Sequence, residues 1–137
     1  MASVKRKEAY SRGVKAEKVA AQFLQLKGYK ILEHRYKTKL GEIDLIARKG
    51  GLLVFAEVKA HKDVEKSLLA VTEKTRRRIE QAALAYIASH ENVCDMDMRF
   101  DVLVVPPQAL NFEGGVMPKL LGAFSVHHLD NAWLAGQ

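Results

Sequence analysis

The alternation of apolar and polar residues divides the first part of the chain into a helix and a strand. Apolar residues recur at helical spacing through residues 9–27, and Gly28 follows where a left-handed helix cap is favoured. Residues 29–36 then have the composition of a strand. Residues 98–105 alternate in the same way and end at Pro106, which cannot continue a sheet ladder. These patterns predict one long helix and two strands of a sheet.

The second half of the chain predicts another helix and a further strand. After a polar loop at 61–69, helical spacing runs from Thr72, a plausible N-cap, to about Ser89. A last apolar run at 120–129 predicts an edge strand, and residues 130–133 predict a short helical turn. With the hairpin described next, the predicted order is α-β-β-β-α-β with an extra C-terminal strand, which belongs to the α/β class.

The most unusual pattern is a hairpin with charged residues inside its strands. Residues 41–62 read GEIDLIARKGGLLVFAEVKAHK, which is two apolar strands around the turn residues Gly50 and Gly51. Three acids and a lysine interrupt these strands, although buried charges persist in proteins only when they are paired or bound to a metal. The hairpin therefore suggests a chemical role for its four charged side chains.

The register of the hairpin predicts that these charges lie together. Across a two-residue turn Asp44 faces Glu57 and Glu42 faces Lys59, and all four project from one face. Two opposed carboxylates repel each other, and Mg²⁺ or Mn²⁺ offsets that repulsion. A solvent-exposed face with a weak Glu42–Lys59 ion pair is the alternative, and an odd-length turn would undo the register. The residues expected to point from the other face into the core are Ile43, Leu45, Val54, Ala56 and Val58.

Composition and charge define the class of partner. The 137 residues are 48% apolar, which predicts one folded domain over residues 1–137, with residues 1–8 flexible. The 22 Lys and Arg against 16 Asp and Glu give a net charge of +6, which favours nucleic acid first and a membrane surface second. The single Cys94 excludes an internal disulfide and a cysteine zinc cluster. Without a signal peptide or an apolar span, we expect a cytoplasmic protein that does not enter membranes.

An acid on one strand followed by Glu-x-Lys on the next resembles the restriction-endonuclease-like, or PD-(D/E)xK, superfamily. More closely, the chain resembles the bacterial YraN-like family of predicted endonucleases, which is related in fold to archaeal Holliday-junction resolvases. The resemblance covers Gly13 to Trp133 and implies a central mixed sheet flanked by helices. It is carried by AEKVAAQFLQLKGYKIL, GEIDLIA, LVFAEVK, AVTEKTRRRIEQAALAYI and RFDVLVV. The chain departs from the family at His61, where an Arg is common, and it lacks the usual Phe-Gly of the next loop.

The resemblance also implies a catalytic site that uses Mg²⁺ or Mn²⁺. Asp44 and Glu57 correspond to the metal-ligating carboxylates, and Lys59 corresponds to the lysine that orients water or stabilises phosphate charge. Glu17 matches the helix acid that completes such a site as a further metal ligand. From the residues alone, an exposed acid in a Lys-rich helix is the favoured interpretation of Glu17.

Two basic segments are candidates for contact with DNA. One is a face of the second predicted helix, and the other lies just before the acidic strand. Such rows can neutralise phosphates without reading bases, and a solvated basic surface is the alternative for the helix. The candidate nucleic-acid-binding residues are Arg35, Lys37, Lys39, Lys74, Arg77 and Arg78.

Three functions remain open from the sequence. The first is a metal-dependent nuclease that hydrolyses phosphodiester bonds in DNA, with branched or structured DNA as a candidate substrate and a homodimer expected by resemblance. The second is a non-catalytic nucleic-acid-binding accessory protein of recombination or repair, whose DNA binding would not depend on Asp44 or Glu57. The third is a small interaction module for an acidic protein or a membrane. Away from the site, Asp101 is expected to form an ion pair, and Tyr86 and Trp133 to fill a core or a dimer interface.

Overall fold

The computed structural model describes residues 2–111 and 123–137, which form a five-stranded sheet with helices on both faces. Short 3₁₀ turns at Glu91–Val93 and Pro107–Asn111 precede and follow the fourth strand. The helices and strands are α1 (Ala2–Leu26), β1 (Lys30–Lys37), β2 (Glu42–Lys49), β3 (Leu52–Ala60), α2 (Val64–Ala70), α3 (Glu73–Ser89), β4 (Asp97–Val105) and β5 (His127–Trp133).

The sheet is mixed, with the spatial order β1-β2-β3-β4-β5. Neighbouring strands are antiparallel except β3 and β4, which are parallel and therefore need the crossover through α2 and α3. One core cluster joins the sheet to α1, and a second joins its other face to α3. This is the predicted α/β architecture with a C-terminal strand, and it is compatible with a restriction-endonuclease-like core.

Helix α1 ends where its sequence predicts. The Gly28 backbone has a φ of +92°, Gly28 N donates to Gln25 O at 3.0 Å, and Tyr29 N donates to Leu24 O at 2.9 Å, which together form a Schellman cap. The helix begins earlier than the periodicity indicates, because residues 2–8 are helical too. Its predicted apolar stripe packs on the sheet and consists of Ala16, Val19, Ala20, Phe23 and Leu24.

The hairpin register is confirmed close to the turn and ends before the charged residues. The pairs run from Lys49–Leu52 to Leu45–Ala56, and their numbers sum to 101 as predicted. Beyond Leu45 the ladder stops, and the Asp44 carboxylate accepts the backbone N–H of Val58 at 2.8 Å. A side chain thus takes the place of a ladder carbonyl, and the strands part where the acids lie.

The prediction that five apolar side chains of the hairpin share one face is confirmed for Leu45, Val54, Ala56 and Val58, which pack in the cluster with α1, and is wrong for Ile43. Leu45 packs in the cluster with α1, whereas Ile43, two residues away, packs in the cluster with α3. The alternation is interrupted at Asp44. Neither Asp44 nor Arg35, whose φ of +51° is left-handed, is paired in the β1–β2 ladder. The predicted Glu42–Lys59 pairing is also absent, since the β2–β3 ladder ends at Leu45–Ala56, before either residue is reached.

Two further predictions outside the hairpin are corrected. The segment 61–69 is not only a loop, because α2 begins there with the Asp63 side chain accepting Lys66 N at 3.1 Å. Residues 130–133 belong to β5 rather than to a helical turn. Their alternation is disguised by a kink, since Asn131 has a φ of +50° and its N–H binds Asp101. The predicted edge strand at 120–129 lies partly outside the described residues.

Helix α3 matches its prediction at both ends and on both faces. The Thr72 side chain caps it by accepting Thr75 N, and its last residue is Ser89. Tyr86 and Trp133 are buried in the cluster beneath it, as expected of core aromatics. None of the helices in the described residues is long and apolar enough to cross a membrane.

Candidate functional site

The charged residues of the hairpin meet at one edge of the sheet, where β2 begins and β3 ends. Asp44 and Glu57 are both half-buried, and Lys59 is half-buried two residues further along β3. The N–H of Val58 fixes the Asp44 carboxylate beside the end of β3. The parting of the two strands therefore turns two opposed acids into a side-chain pair at an open edge.

The two carboxyl groups are in electrostatic contact. Burial, a hydrogen bond with Asp44 and the negative charge of Asp44 raise the pKa of Glu57 to about 9. The positive charge of Lys59 acts in the opposite direction, and the charge of Glu42 adds to the rise in pKa. At neutral pH the pair therefore retains a proton, because two ionised carboxylates in contact with each other repel strongly.

Glu17 approaches the same site from α1. Its carboxylate accepts the Nε–H of Arg35 at 2.7 Å, and its side chain is 14% exposed. Burial raises the pKa of Glu17 and the charge of Asp44 raises it further, while the hydrogen bond from Arg35 lowers it. Arg35 also donates to the Tyr10 hydroxyl at 2.9 Å and lies over the Tyr10 ring. The carboxylate of Glu17 therefore interacts electrostatically with Asp44, but it is held in an ion pair with Arg35.

The arrangement brings together two of the three predicted metal ligands and holds the third in an ion pair. Within residues 2–111 and 123–137, no three His, Cys, Asp or Glu side chains are grouped closely enough to bind a metal ion. The Asp44–Glu57 pair nevertheless fits a divalent cation chemically, because hard oxygen ligands from carboxylates suit Mg²⁺ and Mn²⁺. A cation there would replace the retained proton of the pair.

A cleft opens beside these acids. Its volume is about 220 Å³, and its lining includes Asp44 of the carboxylate pair together with other acidic and basic side chains. Lys37, one of the predicted nucleic-acid ligands, lies on its rim with Arg35, which is already committed to Glu17 and Tyr10. The cleft is lined by Tyr10, Glu17, Arg35, Lys37, Glu42, Ile43 and Asp44.

The other predicted basic residues line a separate surface groove of about 590 Å³. It runs along the exposed face of α3 and includes Lys74, Arg77 and Arg78. Arg77 is paired with Glu73, whereas Lys39 is exposed in the loop that precedes β2. That loop rests on α3 at Gly41, where an added Cβ would lie 1.8 Å from the carbonyl oxygen of Arg78. The loop and the basic face of α3 therefore form one continuous surface.

Sequence reasoning missed two features of the molecule. The first is Tyr10, which lies seven residues before Glu17 on the same side of α1. Its hydroxyl accepts a hydrogen bond from Arg35. The second is the extent of the polar network around Asp101, whose predicted ion pair is confirmed. Arg99 binds Asp101 through two hydrogen bonds at 2.8 Å, and His128 binds it at 2.7 Å. This network joins β4 to β5 and lies outside the cleft.

Comparison with known proteins gives a consistent result. The sequence profile of Uncharacterised protein family UPF0102 matches residues 16–105. A UPF0102 protein of Mesorhizobium japonicum is 45% identical over 105 residues, which are 77% of this chain and 84% of that protein. UPF0102 proteins of Rhodopseudomonas palustris and Bartonella quintana are 42% and 43% identical, over 74% and 80% of this chain and 78% and 90% of theirs. The matched segment contains every residue of the carboxylate site.

Proposed function

This chain belongs to Uncharacterised protein family UPF0102, the YraN family, and from its site we propose that it is a metal-dependent nuclease that hydrolyses phosphodiester bonds in DNA. The observation that supports this most is the contact between Asp44 and Glu57 where the hairpin strands part. Two carboxyl groups held together by burial destabilise a fold unless something offsets their repulsion. A catalytic cation would offset the repulsion between the two carboxylates and would give the site its function.

In this proposal Asp44 and Glu57 hold Mg²⁺ or Mn²⁺ through their oxygens. A bound cation of this kind supplies neutralising charge for the phosphate and lowers the pKa of a bound water. The protein contributes the orientation of its ligands, because the Val58 N–H holds the Asp44 carboxylate at a fixed position. Glu17 is close enough to influence the charge of the site, and Arg35 sets its orientation.

Lys59 has a distinct role in the same proposal. Its charge already acts on Glu57, so its ammonium group lies near the carboxylate pair. A phosphate that entered the site would meet that positive charge, which stabilises the negative charge that develops during hydrolysis. Lys59 is therefore assigned to binding the scissile phosphate or the attacking water.

The basic surfaces support DNA as the partner. Lys37 is on the rim of the cleft, and Lys39 lies in the loop that connects the cleft to α3. Along α3, Lys74, Arg77 and Arg78 face the solvent on one side of a groove. These side chains can neutralise successive phosphates without reading sequence, which suits recognition of a branched or otherwise structured DNA by shape. A homodimer would present two such sites to one substrate.

A non-catalytic nucleic-acid-binding protein of recombination or repair is the second candidate, and one observation favours it. Arg35 occupies the Glu17 carboxylate, so that only two acids of the site are available without rearrangement. Such a protein would use the same basic surfaces and would bind DNA without cutting it. Substitution of Asp44 or Glu57 would then leave its affinity for DNA unchanged.

A cleavage panel tests the proposal. Four-way junction, flap, single-stranded and duplex DNA are incubated with Mg²⁺ or Mn²⁺ and, separately, with EDTA. We expect metal-dependent cutting of at least one substrate, and a loss of about 10²-fold or more in rate for Asp44→Asn and for Glu57→Gln. Glu65→Gln removes an exposed acid of α2 and serves as the matched control, with an unchanged rate.

The outcomes of the panel separate the two candidates. Cutting that is lost with EDTA and in both site variants supports the nuclease and identifies its preferred structure. Absence of cutting on all four substrates, with equal DNA binding by wild type and variants, rejects it in favour of the accessory protein. Absence of binding at moderate salt rejects both.

A further inference from the structure

The amino-terminal turns of α1 extend away from the core as an exposed arm. Every residue from 3 to 12, here called the arm, is exposed, and the first buried residue of the helix is Ala16. Ten helical residues span about 15 Å. The arm is continuous with the part of α1 that is docked on the sheet, so the docked turns provide the helix nucleus that an isolated short helix lacks.

The charges of the arm do not serve the stability of the helix. Lys5, Arg6 and Lys7 occupy its first turns, where the helix dipole disfavours positive charge, and the first turn contains no acid. Within the described residues, none of the three forms an ion pair with another side chain. An anionic partner is the simplest stabilising counterpart for such a cluster.

Gly13 lies within the continuous helix α1, immediately after the arm. Glycine in a helix interior is less favourable than alanine because it loses more backbone entropy on folding. Within residues 2–111 and 123–137 no packing contact requires it, since a Cβ added at Gly13 would meet no atom within 4 Å. This contrasts with Gly41, where the carbonyl of Arg78 leaves no room for a side chain. In the part of the chain that the structure describes, the space above Gly13 is open.

Two grooves are lined by this part of α1. The first has a volume of about 520 Å³, and its ionisable lining residues are all basic: Arg12 on the arm, with His61 and Lys62 on the loop after β3. The second is the cleft that contains Tyr10, Glu17 and Asp44. The first groove is lined by Ala9, Arg12, Gly13, Ala60, His61, Lys62, Pro107 and Leu110.

Gly13 lies between these grooves on the helix surface. It lines the basic groove with Ala9 and Arg12, and it is one helical turn before Glu17, which lines the cleft. A strand that leaves the basic groove and crosses α1 at Gly13 therefore arrives at Asp44. Any side chain larger than that of glycine would project from the helix into the path of the crossing strand.

We propose that the arm and the basic groove hold the sugar-phosphate backbone of a nucleic-acid strand, which crosses α1 at Gly13 on its way to the carboxylate pair. The identity of the partner rests on the proposed function. The contact depends on charge and on close approach to the backbone of α1, and it is separate from the basic face of α3. It explains three features together: the exposed helical arm, its unpaired cations and its adjacent open glycine.

Charge substitution tests the arm. Lys5→Gln, Arg6→Gln and Lys7→Gln are combined in one variant, and Lys30→Gln, Arg48→Gln and Lys49→Gln, exposed residues at the turn end of the β1–β2 sheet edge, form the matched control. Binding of a fluorescent four-way junction and of duplex DNA is measured in EDTA over a series of salt concentrations. We expect the arm variant to lose about tenfold or more in affinity and its log–log salt slope to fall by about 2–3, at roughly 0.9 per lost phosphate contact. The control should change affinity by no more than about twofold.

Gly13→Ala tests the crossing with a variant that should not be destabilised, so that a loss of DNA affinity cannot be attributed to unfolding. Alanine is the better helix former, so the melting temperature should rise by about 2–5 °C. If a strand crosses at Gly13, DNA affinity should nevertheless fall by about tenfold, because the added methyl group occupies the approach. Improved stability with weaker binding is a combination that a merely structural glycine does not produce.

The results distinguish this inference from the proposed hydrolysis. Equal losses in the arm variant and its control overturn the arm as a contact, and full affinity in a stabilised Gly13→Ala protein overturns the crossing. Weaker binding in both variants, with no cutting of any substrate in Mn²⁺, supports the arm while rejecting hydrolysis.

Discussion

At the scale of the residue, the proximity of Asp44 and Glu57 follows from counting across the turn, but their environment does not. The sequence places them opposite each other, and the structure shows that the ladder ends one pair earlier. The carboxylate of Asp44 then accepts Val58 N–H, which no spacing rule indicates. The Glu17–Arg35 ion pair could not be predicted from the sequence either, because it depends on where α1 crosses the sheet and on the left-handed backbone of Arg35.

The raised pKa of Glu57 gives a prediction about stability in the absence of metal. The folded state holds its proton up to about pH 9, whereas an unfolded Glu releases it near 4.5. The favourable contribution of protonated Glu57 is therefore complete below pH 4.5 and is lost as the pH rises towards 9. A single retained proton corresponds to at most about 1.4 kcal/mol per pH unit.

Glu57→Gln removes this proton linkage. In EDTA, the free energy of unfolding of wild type should fall relative to that of Glu57→Gln between pH 5 and pH 9, so that the variant is the more stable protein by roughly 2 kcal/mol or more at pH 8. Urea denaturation at several pH values measures the difference, and Glu65→Gln is the control. Parallel pH profiles for wild type and Glu57→Gln would show that the carboxyl pair is not under electrostatic strain.

At the scale of the element, long periodic segments were predictable and short or kinked ones were not. Helices α1 and α3 have complete apolar stripes and recognisable caps at Gly28 and Thr72. Helix α2 has only seven residues, too few for a period to emerge, although Asp63 was available as its cap. Strand β5 was misread at its end because Asn131 adopts a left-handed conformation to bind Asp101, and this breaks the alternation.

The contact between the β1–β2 loop and α3 gives a prediction at this scale. Gly41→Ala would place a methyl group 1.8 Å from the Arg78 carbonyl oxygen, so the loop or the helix must move. We expect a loss of about 3 kcal/mol in the free energy of unfolding, measured by urea denaturation. Gly51→Ala, in open space within the hairpin turn, should change it by less than about 1 kcal/mol. Similar losses in both would contradict a close loop–helix contact.

At the scale of the whole molecule, the net charge of +6 predicts an anionic partner but not where it binds. The fold places basic residues on the arm, on the rim of the cleft and along α3, whereas Lys30, Arg48 and Lys49 lie at the turn end of the sheet. The class of fold was predictable because helix and strand periods differ clearly. The sequence of the hairpin did not predict that helices pack on both faces of the sheet. Ile43 and Leu45, two residues apart on one strand, pack in the core clusters on opposite faces, which breaks the alternation expected of a strand.

The central claim is that the Asp44–Glu57 pair is a divalent cation site, and calorimetric titration of Mn²⁺ into the protein tests it most directly. Wild type and Glu65→Gln should bind Mn²⁺ with the same affinity. Asp44→Asn and Glu57→Gln should each lose about tenfold or more, because each removes one of two carboxylate ligands. Equal Mn²⁺ binding by all four proteins, or no binding by wild type, would contradict the claim.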